Sequence, residues 1–155
     1  MESSNLVRPL PVPNTGMVTF RDIHNPDGPQ GLGHLTPITG GIHVPFDIKR
    51  IYYIHSVGPN IRRGFHSHRD LHQVLIALGG SVKVLVKPPF EETVVELNKP
   101  WEGLYIGPYI WREMFDFSEH ATLLVLASAD YTESDYLRKY EDYEPEAKEY
   151  FTQQR

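Results

Sequence analysis

The sequence predicts an all-β domain, a sandwich or barrel of short strands with a helical segment near its C-terminal end. Three observations carry this. Short runs rich in β-branched and aromatic residues recur along most of the chain, clusters of Gly, Pro and Asn separate them, and only the last stretch shifts to helical spacing of its apolar side chains. A chain of many short strands removes its apolar faces from water by closing them into two packed sheets or a barrel.

Taken in order, the first sixteen residues hold Pro9, Pro11 and Pro13 among polar neighbours. Fixed φ angles and missing N–H groups favour an extended, weakly ordered arm over a helix there. The expected organisation is therefore an arm over 1–16 and a single domain over 17–155. Strands are expected at 17–20, 34–38, 49–57, 74–78, 82–86, 93–97, 103–106, 110–117 and 122–127, and the stretch 63–70 also reads as strand. Gly79-Gly80-Ser81 predicts a tight hairpin, while Pro88-Pro89, Asn98-Lys99-Pro100 and Gly107-Pro108 close other strands. From Thr132 to Tyr143 a helix is expected, with Tyr136, Leu137 and Tyr140 on one face and a cap at Thr132 or Ser134. Pro145 then opens a further short turn of helix over 145–155.

Composition narrows the classes of function. The chain has 155 residues, 40% of them hydrophobic, enough for one well-packed core. Fifteen basic against twenty acidic residues give a formal charge of −5, which argues against a nucleic-acid surface; phosphate binding has to come from a few placed arginines. There is no cysteine, so neither disulfides nor thiolate metal sites are available, and a reducing compartment fits. The N-terminus lacks a basic segment followed by an apolar core, and the apolar runs 74–78 and 123–127 are too short to span a bilayer. A cytoplasmic protein without membrane contact is expected.

The chemistry concentrates in Arg63-Gly64-Phe65-His66-Ser67-His68-Arg69-Asp70. A strand repeats its side-chain direction every two residues, so His66 and His68 share a face, and two groups titrating near neutrality share one space. Such a pair moves protons or binds a metal. The same arithmetic puts Arg50 and Tyr52 on one face of 49–57 and Ile51 and Tyr53 on the other. If the two strands adjoin, one patch holds a guanidinium for phosphate, a phenol and two imidazoles. Arg62, Arg63, Arg69 and Arg112 are further candidates for an anionic ligand. His24, His34, His43, His55 and His120 share no periodicity and read as surface or loop residues. The spacing from His66 and His68 to His72 resembles the first metal-binding motif of cupins. Where the second motif would supply a histidine, however, this chain has Arg112, which cannot ligate a cation and repels one. No metal is expected.

Several segments together resemble one family, the nucleotide-sugar 3,4-ketoisomerases, or FdtA/QdtA (WxcM-like) cupins. They are Pro45-Phe46-Asp47-Ile48-Lys49-Arg50-Ile51-Tyr52-Tyr53-Ile54, Arg63-Gly64-Phe65-His66-Ser67-His68 and Leu71-His72-Gln73-Val74-Leu75-Ile76, followed by Gly103-Leu104-Tyr105-Ile106, Trp111-Arg112-Glu113-Met114, Asp116-Phe117-Ser118 and Leu126-Ala127-Ser128-Ala129-Asp130-Tyr131. The resemblance implies a cupin-type jelly-roll barrel, a homodimer with exchanged N-terminal strands, and a dTDP-linked 4-keto-6-deoxy sugar isomerised through an enediolate without metal or other cofactor. It assigns His66 as the base at C3, His68 and Tyr52 to proton movement or stabilisation of the intermediate, and Arg50 and Arg63 to the diphosphate. Gln73, Trp111 and Arg112 complete its substrate-binding set. Two positions depart from the family pattern: Arg112 replaces a common histidine, which adds a phosphate contact or marks a different nucleotide or sugar, and Leu32 replaces a common arginine, which leaves the galacto or gluco outcome at C4 open. A related 3,5-epimerase and a non-catalytic sugar-nucleotide-binding cupin are the alternative readings.

Overall fold

A computed structural model describes residues 6–154; residues 1–5 of the expected arm and residue 155 lie outside the described residues. The strands are β1 (Arg8–Pro9), β2 (Thr15–Thr19), β3 (Arg50–His55), β4 (Arg63–His68), β5 (Gln73–Gly79), β6 (Val82–Lys87), β7 (Thr93–Leu97), β8 (Glu102–Ile106), β9 (Trp111–Phe115), β10 (Thr122–Ala127) and β11 (Tyr136–Leu137), with one helix, α1 (Tyr140–Gln153). They form two antiparallel sheets, ordered β1-β2-β8-β5-β10-β3 and β11-β4-β9-β6-β7. This two-sheet β architecture agrees with the jelly roll implied by the family resemblance.

The main core lies between the sheets. Leu75, Ala77, Leu104, Ile106, Leu123 and Val125 meet Val82, Val84 and Val86 there. The opposite face of the first sheet is also covered: Val18, Val74, Ile76 and Leu126 pack with Phe20 and Val44, and Ile38, Phe46 and Ile48 lie against them. Burial on both faces explains why 74–77 is an unbroken apolar run instead of an alternating one.

The structure revises four local expectations. First, the arm is tied down from Arg8 onward: Arg8 pairs with Met17 and Pro9 with Gly16, and Val12 is 2% exposed. A proline is tolerated at Pro9 because β1 is an edge strand. Second, 34–38 contributes only an isolated bridge between Ile23 and Leu35. Third, Gly79-Gly80-Ser81 is no hairpin, since β5 and β6 lie in different sheets. Gly80 takes φ +69, and Ser81 exchanges hydrogen bonds with Ser118, which turns the chain across the barrel. Fourth, 132–139 is not α-helical. Glu133–Asp135 makes a single 3₁₀ turn, Tyr136 pairs with His68, and α1 begins only at Tyr140. The helix runs through Pro145 and buries Tyr143, Ala147 and Phe151 on one stripe. Two large aromatic side chains at about 1.5–3 kcal/mol each offset an interior proline that costs roughly 3 kcal/mol.

Candidate active site

A cavity of about 500 Å³ opens between β3 and β4, which belong to different sheets, so the expected adjacency is across the barrel mouth and not within one sheet. Its chemical lining is Arg50, Tyr52, Arg63, His66, Tyr136 and Arg138. β3 alternates as its sequence requires, with Arg50, Tyr52 and Ile54 half-buried and Ile51, Tyr53 and His55 exposed. A wider cleft of about 900 Å³ on the outer side of β3, lined by Phe117, His120 and others, shares Tyr53 and His55 with it. The smaller cavity is the one that joins imidazole, phenol and guanidinium groups.

β4 delivers its histidines through a bulge. The register shifts between Gly64 and His66, with Gly64 at φ +98 and Phe65 at φ +55. A Cβ at Gly64 would lie 2.8 Å from the Arg112 carbonyl oxygen, so only glycine fits. His66 Nδ1 donates to the Gly64 carbonyl at 3.1 Å, and its ring stands perpendicular to His68 at 5.0 Å between centroids. The two imidazoles share a space, as strand periodicity predicts. His68 is fully buried behind His66 and Tyr136, whose ring lies 4.2 Å from it, and unlike His66 it does not line the cavity.

Beneath the cavity, hydrogen-bond polarity is forced. Arg112 is 2% exposed, and its guanidinium, which only donates, gives Nη1–H to Gln73 Oε1 at 2.5 Å. The Gln73 amide nitrogen therefore faces Tyr52 and donates to its hydroxyl at 3.0 Å. With its oxygen accepting from Gln73, Tyr52 is free to donate its proton into the cavity. Four buried side-chain polar atoms among the described residues lack a partner, and three of them, Arg50 Nε, His68 Nε2 and Arg112 Nη2, belong to this cluster. Unmet donors and acceptors around one cavity are what a polar ligand satisfies.

Charge follows from the same burial. Desolvation first and the Arg112 guanidinium second hold His66 down to about 3, and the same two causes, in the same order, hold His68 well below the ordinary imidazole range. Desolvation raises Tyr52 above the usual phenol value, partly opposed by Arg112. Burial lowers Arg112 to about 10, still charged at neutral pH. The site thus combines two neutral bases, a neutral acid and a fixed buried cation.

The remaining sequence candidates divide. Arg50 and Arg63 line the cavity; Gln73 and Arg112 support it from below without lining it. Trp111 does not belong to it. Because Arg112 points inward, its neighbour points outward, where Trp111 donates to Glu113 and packs on Tyr140 and Tyr143 of α1. Arg62 is bound to Glu113 at 2.6 Å, and Arg69 to Glu146 at 2.6 Å. Leu32 sits 63% exposed outside the lining. His72 donates to or accepts from the Tyr105 hydroxyl at 2.7 Å and makes no ligand cluster with the His66–His68 pair among the described residues. Three contributors escaped the sequence reading: Tyr136 and Arg138 in the lining, and Asp135 on His68. Arg138 lies 4.0 Å over the Tyr136 ring and is held by Glu133 at 2.6 and 2.9 Å. Their pairing partner β4 is almost seventy residues away in sequence, beyond any local pattern.

A two-sheet β barrel with paired neutral imidazoles, a phenol donor and several guanidiniums at its mouth defines an acid–base cupin suited to an anionic ligand. The chain belongs to the family described as FdtA: WxcM-like, C-terminal, whose model matches residues 14–148. A TDP-4-oxo-6-deoxy-α-D-glucose-3,4-oxoisomerase of Aneurinibacillus thermoaerophilus is 42% identical over 111 residues, covering 72% of this chain and 80% of the relative. Among solved structures, the sugar 3,4-ketoisomerase QdtA of Thermoanaerobacterium thermosaccharolyticum in complex with TDP is 56% identical, with a TM-score of 0.86, covering 90% of this chain and 98% of its own. A histidine-to-asparagine mutant of that enzyme in complex with TDP-4-keto-6-deoxyglucose is 55% identical, with a TM-score of 0.85, covering 89% and 96%.

Proposed function

We propose that this protein is a sugar 3,4-ketoisomerase acting on TDP-4-keto-6-deoxyglucose. Family membership and the relatives' activities support the reading. The observation that carries it is that neutral His66 and the Tyr52 hydroxyl, whose oxygen accepts from Gln73, line one cavity above buried Arg112.

The proton on C3 of a 4-keto sugar is acidified by the neighbouring carbonyl. His66, deprotonated at neutral pH with its Nδ1–H committed to Gly64, offers Nε2 to remove it. Tyr52 donates to O4 as the enediolate develops, and the Arg112 charge stabilises that anion in a site of low dielectric. His66 returns the proton to C4 while O3 loses its own, leaving the ketone at C3. Arg50 and Arg63 hold the diphosphate. Carbon and oxygen protons are only relocated, so the reading requires neither a redox cofactor nor a metal.

The assembly belongs to the same proposal. β3 is a sheet edge among the described residues, and Ile51 and Tyr53 on its outer face are 58% and 62% exposed. An unpaired edge beside exposed apolar side chains suits a homodimer in which N-terminal strands are exchanged. No helix among the described residues is long and apolar enough to cross a membrane; a cytoplasmic setting accords with the nucleotide-linked substrate and the absence of cysteine.

The test is an NMR time course of purified protein with TDP-4-keto-6-deoxyglucose in heavy water. Deuterium at C3 and formation of a 3-keto product are expected; exchange at C5 would instead indicate an epimerase, and unchanged substrate a binding protein. His66→Asn should bind TDP near wild-type affinity and exchange no C3 hydrogen. Wild-type exchange in that variant would exclude His66 as the base.

A further inference from the structure

His68 is the second imidazole of the site, and its surroundings determine which nitrogen carries its proton. Nδ1 lies 2.9 Å from Asp135 Oδ2, and the other oxygen, Oδ1, accepts the Asp70 backbone N–H at 2.7 Å. An ionised carboxylate only accepts, so Nδ1 is protonated and Nε2 is a bare lone pair. That Nε2 is buried and unpartnered, next to His66 and Tyr136.

The carboxylate is delivered by a turn fixed on several sides. The Asp135 N–H donates to the Thr132 carbonyl, and its own carbonyl accepts from the Arg69 N–H at 2.9 Å. The Arg69 guanidinium reaches the Ser134 carbonyl at 2.6 Å and Glu146 of α1. Tyr136, the next residue, pairs with His68 across β11 and β4. Three elements thus converge on the placement of one carboxylate behind one imidazole.

We propose that Asp135 is a positioning residue: it holds His68 in the Nδ1–H tautomer, keeping Nε2 as the acceptor for the hydroxyl proton that O3 of the sugar loses. The inference rests on the ketoisomerase reading. In the step concerned, the O3–H bond breaks and, relayed through one water because Nε2 lies behind the cavity lining, an Nε2–H bond forms. The oxygen's electron pair becomes the C3=O bond while the C3=C4 pair takes up the proton from His66 at C4. The imidazolium left at His68 is compensated by Asp135 on its far nitrogen, and its proton restores the Tyr52 phenolate that donation to O4 created.

Asp135→Asn tests this because it changes polarity at constant shape. One amide oxygen cannot serve both the His68 Nδ1–H and the Asp70 N–H; with the oxygen on Asp70, the amide donates to Nδ1 and drives the proton to Nε2. The expected result is a fall in kcat of about 100-fold or more, with TDP affinity within about twofold of wild type. Ring ¹⁵N NMR of the wild-type protein at neutral pH should show His68 as the Nδ1–H tautomer, a readout that stands even if the variant does not fold. An Nε2–H tautomer in an active wild type, or a folded Asp135→Asn variant turning over within about threefold of wild type, overturns the role of Asp135. An Nδ1–H spectrum in a wild type that does not isomerise the keto sugar instead overturns the ketoisomerase reading, and with it the destination given to the proton.

Discussion

At the scale of single residues, burial and donor–acceptor arithmetic govern the site more than proximity does. Gln73, expected to touch substrate, is 1% exposed and acts through Tyr52. Gln73→Glu is nearly isosteric, yet a carboxylate would accept the Tyr52 proton and withdraw it from the cavity. The expected outcome is a loss in kcat on the order of 10², comparable with Tyr52→Phe, while both variants keep the fold. Wild-type kcat in either would return Tyr52 to a packing role. Acid sensitivity also belongs to this scale. His66 and His68 have folded-state values below the unfolded imidazole value of 6.5, so the unfolded chain binds their protons first. Their contribution to stability is fully present above about pH 6.5 and is lost progressively as pH falls below it, for His66 through about 3. Between pH 7 and pH 5 the His66 contribution lowers unfolding free energy by up to about 2 kcal/mol. Urea unfolding across that range should show the slope, and His66→Asn should reduce it. Turnover by a base at about 3 should not decline over the same interval.

At the scale of elements, the bulge in β4 is the feature that aims the histidines. Gly64→Ala would force a left-handed φ on alanine and set its Cβ against the Arg112 carbonyl. A loss of stability on the order of 2 kcal/mol is expected, with reduced turnover because the His66 anchor is the Gly64 carbonyl. Denaturant midpoints measure it, and an unchanged midpoint would show that the bulge relaxes freely. In the tail, pairing with a distant strand overrides helical spacing. Tyr136, Leu137 and Tyr140 fit a helical face, but a two-residue bridge to β4 and stacking of Tyr136 on His68 outcompete an isolated turn of helix. The helix forms four residues later, where Tyr143, Ala147 and Phe151 have a sheet to cover.

At the scale of the whole molecule, two outcomes follow. Sedimentation should show a dimer, and Ile51→Glu, on the exposed outer face of β3, should shift it toward monomer at micromolar concentration. Chelation should leave turnover intact, because the buried Arg112 guanidinium beside the His66–His68 pair disfavours a cation there; abolition by a chelator and rescue by a divalent ion would refute that account. The sequence by itself determined what depends on local period and chain chemistry: the strand-rich fold, the shared face of His66 and His68, and the facing of Arg50 and Tyr52. Only the tertiary structure decided what depends on distant segments meeting. It turned Trp111 toward α1, put Gln73 and Arg112 under the site, and brought Asp135, Tyr136 and Arg138 to β4 from the far end of the chain. Periodicity specifies which way a side chain points from its own strand, whereas its partner is set by sheet pairing, which no local stretch of sequence encodes.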